Sequence, residues 1–221
     1  MIRWCFEVLT SSVGKKALMG ATGLFLCSFL VVHLYGNLLL YTGAAHFEEH
    51  AHAFAKNIII RIIEVFLFLS IVLHAASGIW LTAQNRKARP VRYARNRSAG
   101  KSTLASRTMV ITGSAIFVYL VIHLRNFFYE SRLGPRADDV SLYELVVTTF
   151  RMPGYAVLYV VAMVLLAAHL LHGFQSGFKS LGLHQVRYAR LIRAVGIVFS
   201  IAVPAGFASL PIYFVAGGGN G

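Results

Sequence analysis

Five stretches of this chain, near residues 17–41, 58–83, 108–129, 154–178 and 194–215, are almost purely apolar. Each reaches the roughly 20 residues that a helix needs to cross a bilayer. The predicted fold is therefore all-α: an integral membrane protein with five transmembrane helices in a single domain spanning residues 1–221. Composition agrees, with 57% hydrophobic and only 13% charged residues, far from the globular norm for charge. The first run is too long for a signal-peptide core and no small-residue cleavage site follows it, so it is expected to be retained. Little chain is left over for a soluble catalytic domain.

A net charge of +13 would suit a nucleic-acid partner, but the basic residues gather in alternate connections instead of spreading over a surface. Arg3, Lys15 and Lys16 precede the first span, eight Lys and Arg residues lie between Gln84 and Thr108, and Lys179, Arg187, Arg190 and Arg193 fill the fourth connection. The first connection holds Glu48, Glu49 and a single Lys56, and the third mixes signs around Arg132, Arg136, Asp138 and Asp139. The positive-inside rule then places the N-terminus in the cytoplasm and the C-terminus outside, as an odd number of spans requires. The partner implied by this layout is membrane lipid, not nucleic acid.

Four of the runs carry a histidine late in the run: His33, His74, His123 and, in LYVVAMVLLAAHLLHGFQSGFKSLG, His172 with His169 one turn earlier. An ionisable group inside a bilayer is costly and by default functional. Four helices offering one imidazole each supply what two bis-histidine haems need. Without a C-x-x-C-H sequence, and with Cys5 and Cys27 alone, such haems would be held non-covalently.

Depth sorts these histidines. At 1.5 Å per residue, His33 lies about 26 Å beyond Lys16 and His123 about 24 Å beyond Arg107, both near the outer face. His74 lies about 27 Å inward from Lys56 and His172 about 28 Å inward from Pro153, both near the inner face. The expectation is an outer pair, His33 with His123, and an inner pair, His74 with His172. His172 is preferred to His169 because Gly173 leaves room for a macrocycle and because its depth matches His74 better. Buried histidine pairs without haem, bonded to each other or to serine, are the plain alternative.

Other residues admit both a structural and a functional reading. Arg61 and Glu64 lie three apart on one helical face and can pair, while Arg61 and Arg125 are both placed for a haem propionate. Gly20, Gly23 and Gly36 leave room for a flat group or for a close neighbour. His46, Glu49 and His50 match the H-x-x-E-H order of a zinc peptidase, but lacking a third ligand they read as a solvated, titratable patch with His52. Pro153 suits the first turn of the fourth span, and Pro204 and Pro211 are expected to kink or end the fifth. VVHLYGN with LHAASG, set against VIHLRNF with LHGFQSG, hints at an internal duplication.

GLFLCSFLVVHLYGN, IVLHAASGIWL, LVIHL and above all LLHGFQSGFKSLGLH resemble the ligand segments of a known family. It comprises the five-helix, di-haem cytochrome b subunits that anchor succinate dehydrogenase and fumarate reductase, the succinate:quinone oxidoreductases. The resemblance runs from about Gly14 into the fifth span, and its HGF-x-S segment is specific. It implies two haem b groups, one on His33 and His123 and one on His74 and His172. It also implies an FAD-bearing flavoprotein and an iron–sulfur subunit on the cytoplasmic face, and a quinone, menaquinone, as electron partner in a bacterial cytoplasmic membrane. Some members carry a glutamate two positions before the fourth ligand, linked to proton movement; Leu170 stands there in this chain.

Two other functions compete. Cytochrome b subunits of nitrate reductase, hydrogenase or formate dehydrogenase type share the charge layout but often place two ligands on one helix. A haem-free transporter or assembly protein would use the histidines for protons or a metal.

Overall fold

The computed structural model describes residues 11–87, 104–135, 140–183, 185 and 187–219. Cys5, Arg3, the basic residues from Arg89 to Lys101, and Arg136, Asp138 and Asp139 lie outside the described residues. Among the described residues there is no strand. In chain order the helices are α1 (Ser12–Leu38), a 3-10 turn (Leu39–Thr42), α2 (Ala44–Lys56), α3 (Ile58–Lys87), α4 (Leu104–His123), a six-residue π-helical stretch (Leu124–Tyr129), the short α5 (Glu130–Arg132), α6 (Leu142–Arg151), α7 (Pro153–Ser180) and α8 (Ala189–Val215).

Five of these are long and apolar enough to cross a membrane: Val13–Thr42, Ile58–Gln84, Thr108–Arg132, Pro153–Ser180 and Ala189–Val215. The protein is thus a multi-pass membrane protein. The first and fifth begin four or five residues before the apolar runs do, because Lys15, Lys16, Arg190 and Arg193 sit in their opening turns, where long basic side chains can reach back to water. Ser11 caps α1 by accepting from the Gly14 amide at 3.0 Å. Pro153 takes the first position of α7, where its missing N–H costs nothing. Gly182, at φ +72°, ends α7, with the Leu183 amide closing on the Phe178 carbonyl at 3.0 Å. Pro204 and Pro211 do not end α8, which runs through both; helices in lipid tolerate proline because neighbouring groups satisfy the freed carbonyls.

Helices α1, α3, α4 and α7 stand at the corners of a square. The sides α1–α3, α1–α7 and α4–α7 are closely packed, and the side α3–α4 only lightly so. Helix α8 lies outside, against α7. The α1–α7 crossing is close because both helices present glycine: a Cβ on Gly20 would stand 3.0 Å from the Gly177 carbonyl and 3.0 Å from Ser180 Cβ. Alternation of direction puts α2, α6, the end of α1 and the start of α7 at one end, called here the capped end. There Leu40, Phe47, Val146, Val147, Phe150, Tyr159, Leu210 and Phe214 form the most buried apolar core. Helix α3 contributes nothing to it, and none of the residues in its apolar window is buried. Its exposed Ile62, Val65, Phe66, Leu69 and Val72 suit lipid.

Glu48 on α2 fastens the capped end. Its carboxylate accepts from Ser141 Oγ at 2.7 Å and from the Tyr143 amide at 2.8 Å, on the first turn of α6, where a negative charge complements the helix dipole. Loss of this cap in Glu48→Ala is expected to cost about 1–2 kcal/mol, measurable as a lower unfolding midpoint in detergent; an unchanged midpoint would remove Glu48 from the fold's supports.

Candidate functional site: two layers of paired histidines

Across one diagonal of the square, His33 on α1 faces His123 on α4, with ring centres 5.8 Å apart and planes nearly perpendicular at 86°. Across the other diagonal, His74 on α3 faces His169 on α7, at 6.3 Å and 75°. Thr22 touches His74, and His33 lies eleven residues further along the same helix. The two layers are therefore separated by about 16 Å of helical rise.

The layer at the capped end has an aromatic wall. Phe29 stacks on His33 at 5.1 Å and Phe207 lies against it at 5.5 Å, while Tyr119, Phe127 and Tyr159 surround His123 at 5.8, 5.4 and 6.1 Å. Among the described residues the buried His123 Nδ1 has no hydrogen-bond partner, an arrangement that ordinarily costs about 1–3 kcal/mol. The π-helical stretch begins immediately after His123, a local irregularity that often marks functional positions.

The layer at the other end is polar around the rings. His74 Nδ1 lies 3.4 Å from Thr22 Oγ1 and 3.3 Å from the Met19 carbonyl, and His169 Nδ1 lies 3.4 Å from Thr112 Oγ1. Glycine lets each ring approach the neighbouring helix: a Cβ on Gly23 would stand 3.0 Å from His74 Cε1, and one on Gly113 3.2 Å from His169 Cε1.

This geometry changes one expected partner. His169, not His172, faces His74, and the glycine beside it is Gly113, on α4. A Cβ on Gly173, the residue expected to clear space, would instead meet Met109 Cε at 3.3 Å. Counting residues from a helix start could not separate the two, because three residues change depth by only about 4.5 Å while turning the side chain through about 300°.

The two arginines engage carboxylates. Arg61 donates to Glu64 at 3.0 Å, as their spacing implied, and Arg132 approaches the other oxygen of Glu64 at 3.6 Å. Arg125 pairs with Glu130 and lies over the Tyr129 ring at 4.6 Å. Of the expected glycines, Gly20 serves the α1–α7 crossing, Gly23 abuts His74 and Gly36 has nothing within 4 Å. His46 and His50 lie on α2 with ring centres 5.8 Å apart, while His52 lies 3.9 Å from the Glu48 carboxylate.

Composition and periodicity alone do not single out Thr22, Thr112 or Gly113. Their signal is a Thr-Gly pair standing eleven residues before a histidine in TGLFLCSFLVVH and again in TGSAIFVYLVIH.

Two imidazoles on opposite sides of one metal ion, each bonded at about 2.0 Å with the nitrogen roughly 1.1 Å from its ring centre, have centres about 6.2 Å apart. Both layers have ring separations close to that value. The aromatic rings around His33 and His123, and the hydroxyl and carbonyl oxygens behind His74 and His169, fit imidazoles held for the iron of a haem. Comparison of the chain with protein-family models, with curated proteins and with solved structures gave no match.

Proposed function

We propose that this protein is a di-haem cytochrome b that carries electrons across a bacterial cytoplasmic membrane. In this reading His33 with His123 and His74 with His169 hold the two haem irons. The observation that carries it is the pairing of four intramembrane histidines, from four different helices, in two layers whose ring separations suit a shared metal. Haem b, when bound, supplies a one-electron ferric/ferrous couple. The chain's own residues hold the imidazoles at fixed heights, exclude water from the capped-end layer with an aromatic wall, and present an apolar exterior to lipid.

The resemblance of the ligand segments makes this the anchor subunit of a succinate:quinone oxidoreductase, with a flavoprotein and an iron–sulfur subunit on the cytoplasmic side and menaquinone as electron partner. The basic connections would face the cytoplasm, leaving the N-terminus inside and the C-terminus outside. Ligands drawn from four separate helices favour this subunit over the nitrate reductase, hydrogenase and formate dehydrogenase types, which often take two from one helix. Arg61 and Arg125 lie toward the capped end and would meet propionates there only by exchanging their present carboxylate partners.

A dithionite-reduced minus oxidised spectrum of the purified chain is expected to show a b-type α-band with about two haems per polypeptide. A colourless chain would remove the cytochrome reading in favour of a haem-free transporter or assembly protein. Copurification of a succinate-oxidising flavoprotein tests the narrower assignment.

A further inference from the structure

We infer that Thr22 and Thr112 are positioning residues that set the tautomer and donor strength of His74 and His169, and that they do so as equivalent members of two repeated helical hairpins. This inference rests on the haem reading above. It concerns the ring nitrogen that does not face the metal.

A threonine hydroxyl has one proton to give. Thr22 Oγ1 lies 2.8 Å from the Leu18 carbonyl and 3.2 Å from that of Met19, and Thr112 Oγ1 lies 3.1 Å from the Thr108 carbonyl and 3.2 Å from that of Met109. With its proton directed to the turn before it, each hydroxyl can only accept from the histidine. Each Nδ1 must then carry the ring proton, which leaves Nε2 bare. At His74 the Met19 carbonyl, 3.3 Å from Nδ1 and itself only an acceptor, requires the same tautomer. Acceptors behind a metal-bound imidazole fix its orientation and raise its basicity.

The repetition makes an accident of packing a poor explanation. In each hairpin a Thr-Gly pair lies eleven residues before one histidine, and both members of the pair touch the histidine of a following long helix: Thr22 and Gly23 touch His74, Thr112 and Gly113 touch His169. Helices α1 and α3 thus form one unit and α4 with α7 its equivalent. Each layer then pairs like with like, His33 with His123 and His74 with His169. The faint duplication in the sequence corresponds to a two-fold relation at the ligands. It also marks a difference between layers, since among the described residues His123 Nδ1 has no hydrogen-bond partner, while His33 Nδ1 lies 3.4 Å from the side-chain amide of Asn37 on its own helix.

The test is a redox titration of the purified, haem-loaded chain with Thr22→Val, Thr112→Val and the corresponding Ser variants, the haem of this layer being identified by its loss in His169→Ala. Valine keeps the shape and removes the acceptor, so the ligand becomes a weaker donor to ferric iron. Each Val variant is expected to shift the ferric/ferrous equilibrium of that haem up to about tenfold toward ferrous, a rise of at most ~59 mV for one electron. The other haem should be unmoved and the Ser variants close to wild type. Loss of that haem alone in a Val variant, with Ser retaining it, would equally support a need for the hydroxyl. Val variants that titrate like wild type, or Ser and Val variants that shift alike, would overturn the role of the threonines while leaving the cytochrome intact. A wild-type chain without haem would overturn the parent reading and this one together.

Discussion

His169→Ala is expected to leave the purified protein with about one haem instead of two, while His172→Ala keeps both. The two histidines share a helix and a neighbourhood, and only geometry separates them. The His169 ring centre is 6.3 Å from that of His74, its Nδ1 faces Thr112 and its edge lies against Gly113. His172 follows three residues later, its direction displaced by about 60° and its height by about 4.5 Å. An imidazole so displaced cannot share an ion with His74 unless α7 rotates, and that helix is fixed by glycine contacts to α1 and by broad packing on α8. Haem per polypeptide, from the pyridine haemochromogen, reads the result. Retention of both haems in His169→Ala, with one lost in His172→Ala, would reverse the assignment.

Gly20→Leu is expected to be the most damaging single substitution on α1 outside the histidine, and Gly36→Leu on the same helix nearly harmless. At position 20 the first added carbon already meets a backbone carbonyl and Ser180 Cβ at 3.0 Å, so the branch beyond it has no space unless α1 and α7 separate. Overpacking of this kind costs about 1–3 kcal/mol, and more where backbone must move. At position 36 nothing lies within 4 Å, and an added apolar side chain stays within about 0.5 kcal/mol of neutral. Thermal unfolding of both variants in the same detergent makes the comparison; equal midpoints would mean that the close crossing contributes little.

The number and approximate limits of the spans were legible because a bilayer imposes a length and a composition that few other environments require. The three histidines His33, His74 and His123 were legible for the same reason, each being an isolated polar group in an apolar run. What could not be read was azimuth. His169 and His172 differ in the direction they point, and that direction depends on how α7 is turned against α1, α4 and α8, which is decided by glycines on several helices at once. The same limit hid Gly113, whose importance lies in what another helix brings to it. Thr112 was hidden by its ordinariness, since threonine in a span commonly bonds back to its own helix and needs no other reason to be there. Arg61 and Glu64 were paired by their spacing alone, but Arg132 joins them from a distant segment.

Helix α3 leans chiefly on α1, with its remaining flank toward lipid and the lightly packed side of the square. A strut braced on one edge has its position settled by whatever spans the gap beside it. A group gripped by both His74 and His169 would clasp α3 to α7 across the middle of the square, beside that open side, and its binding free energy would add directly to the cohesion of the bundle. Loading and tightening of this protein would then be a single event.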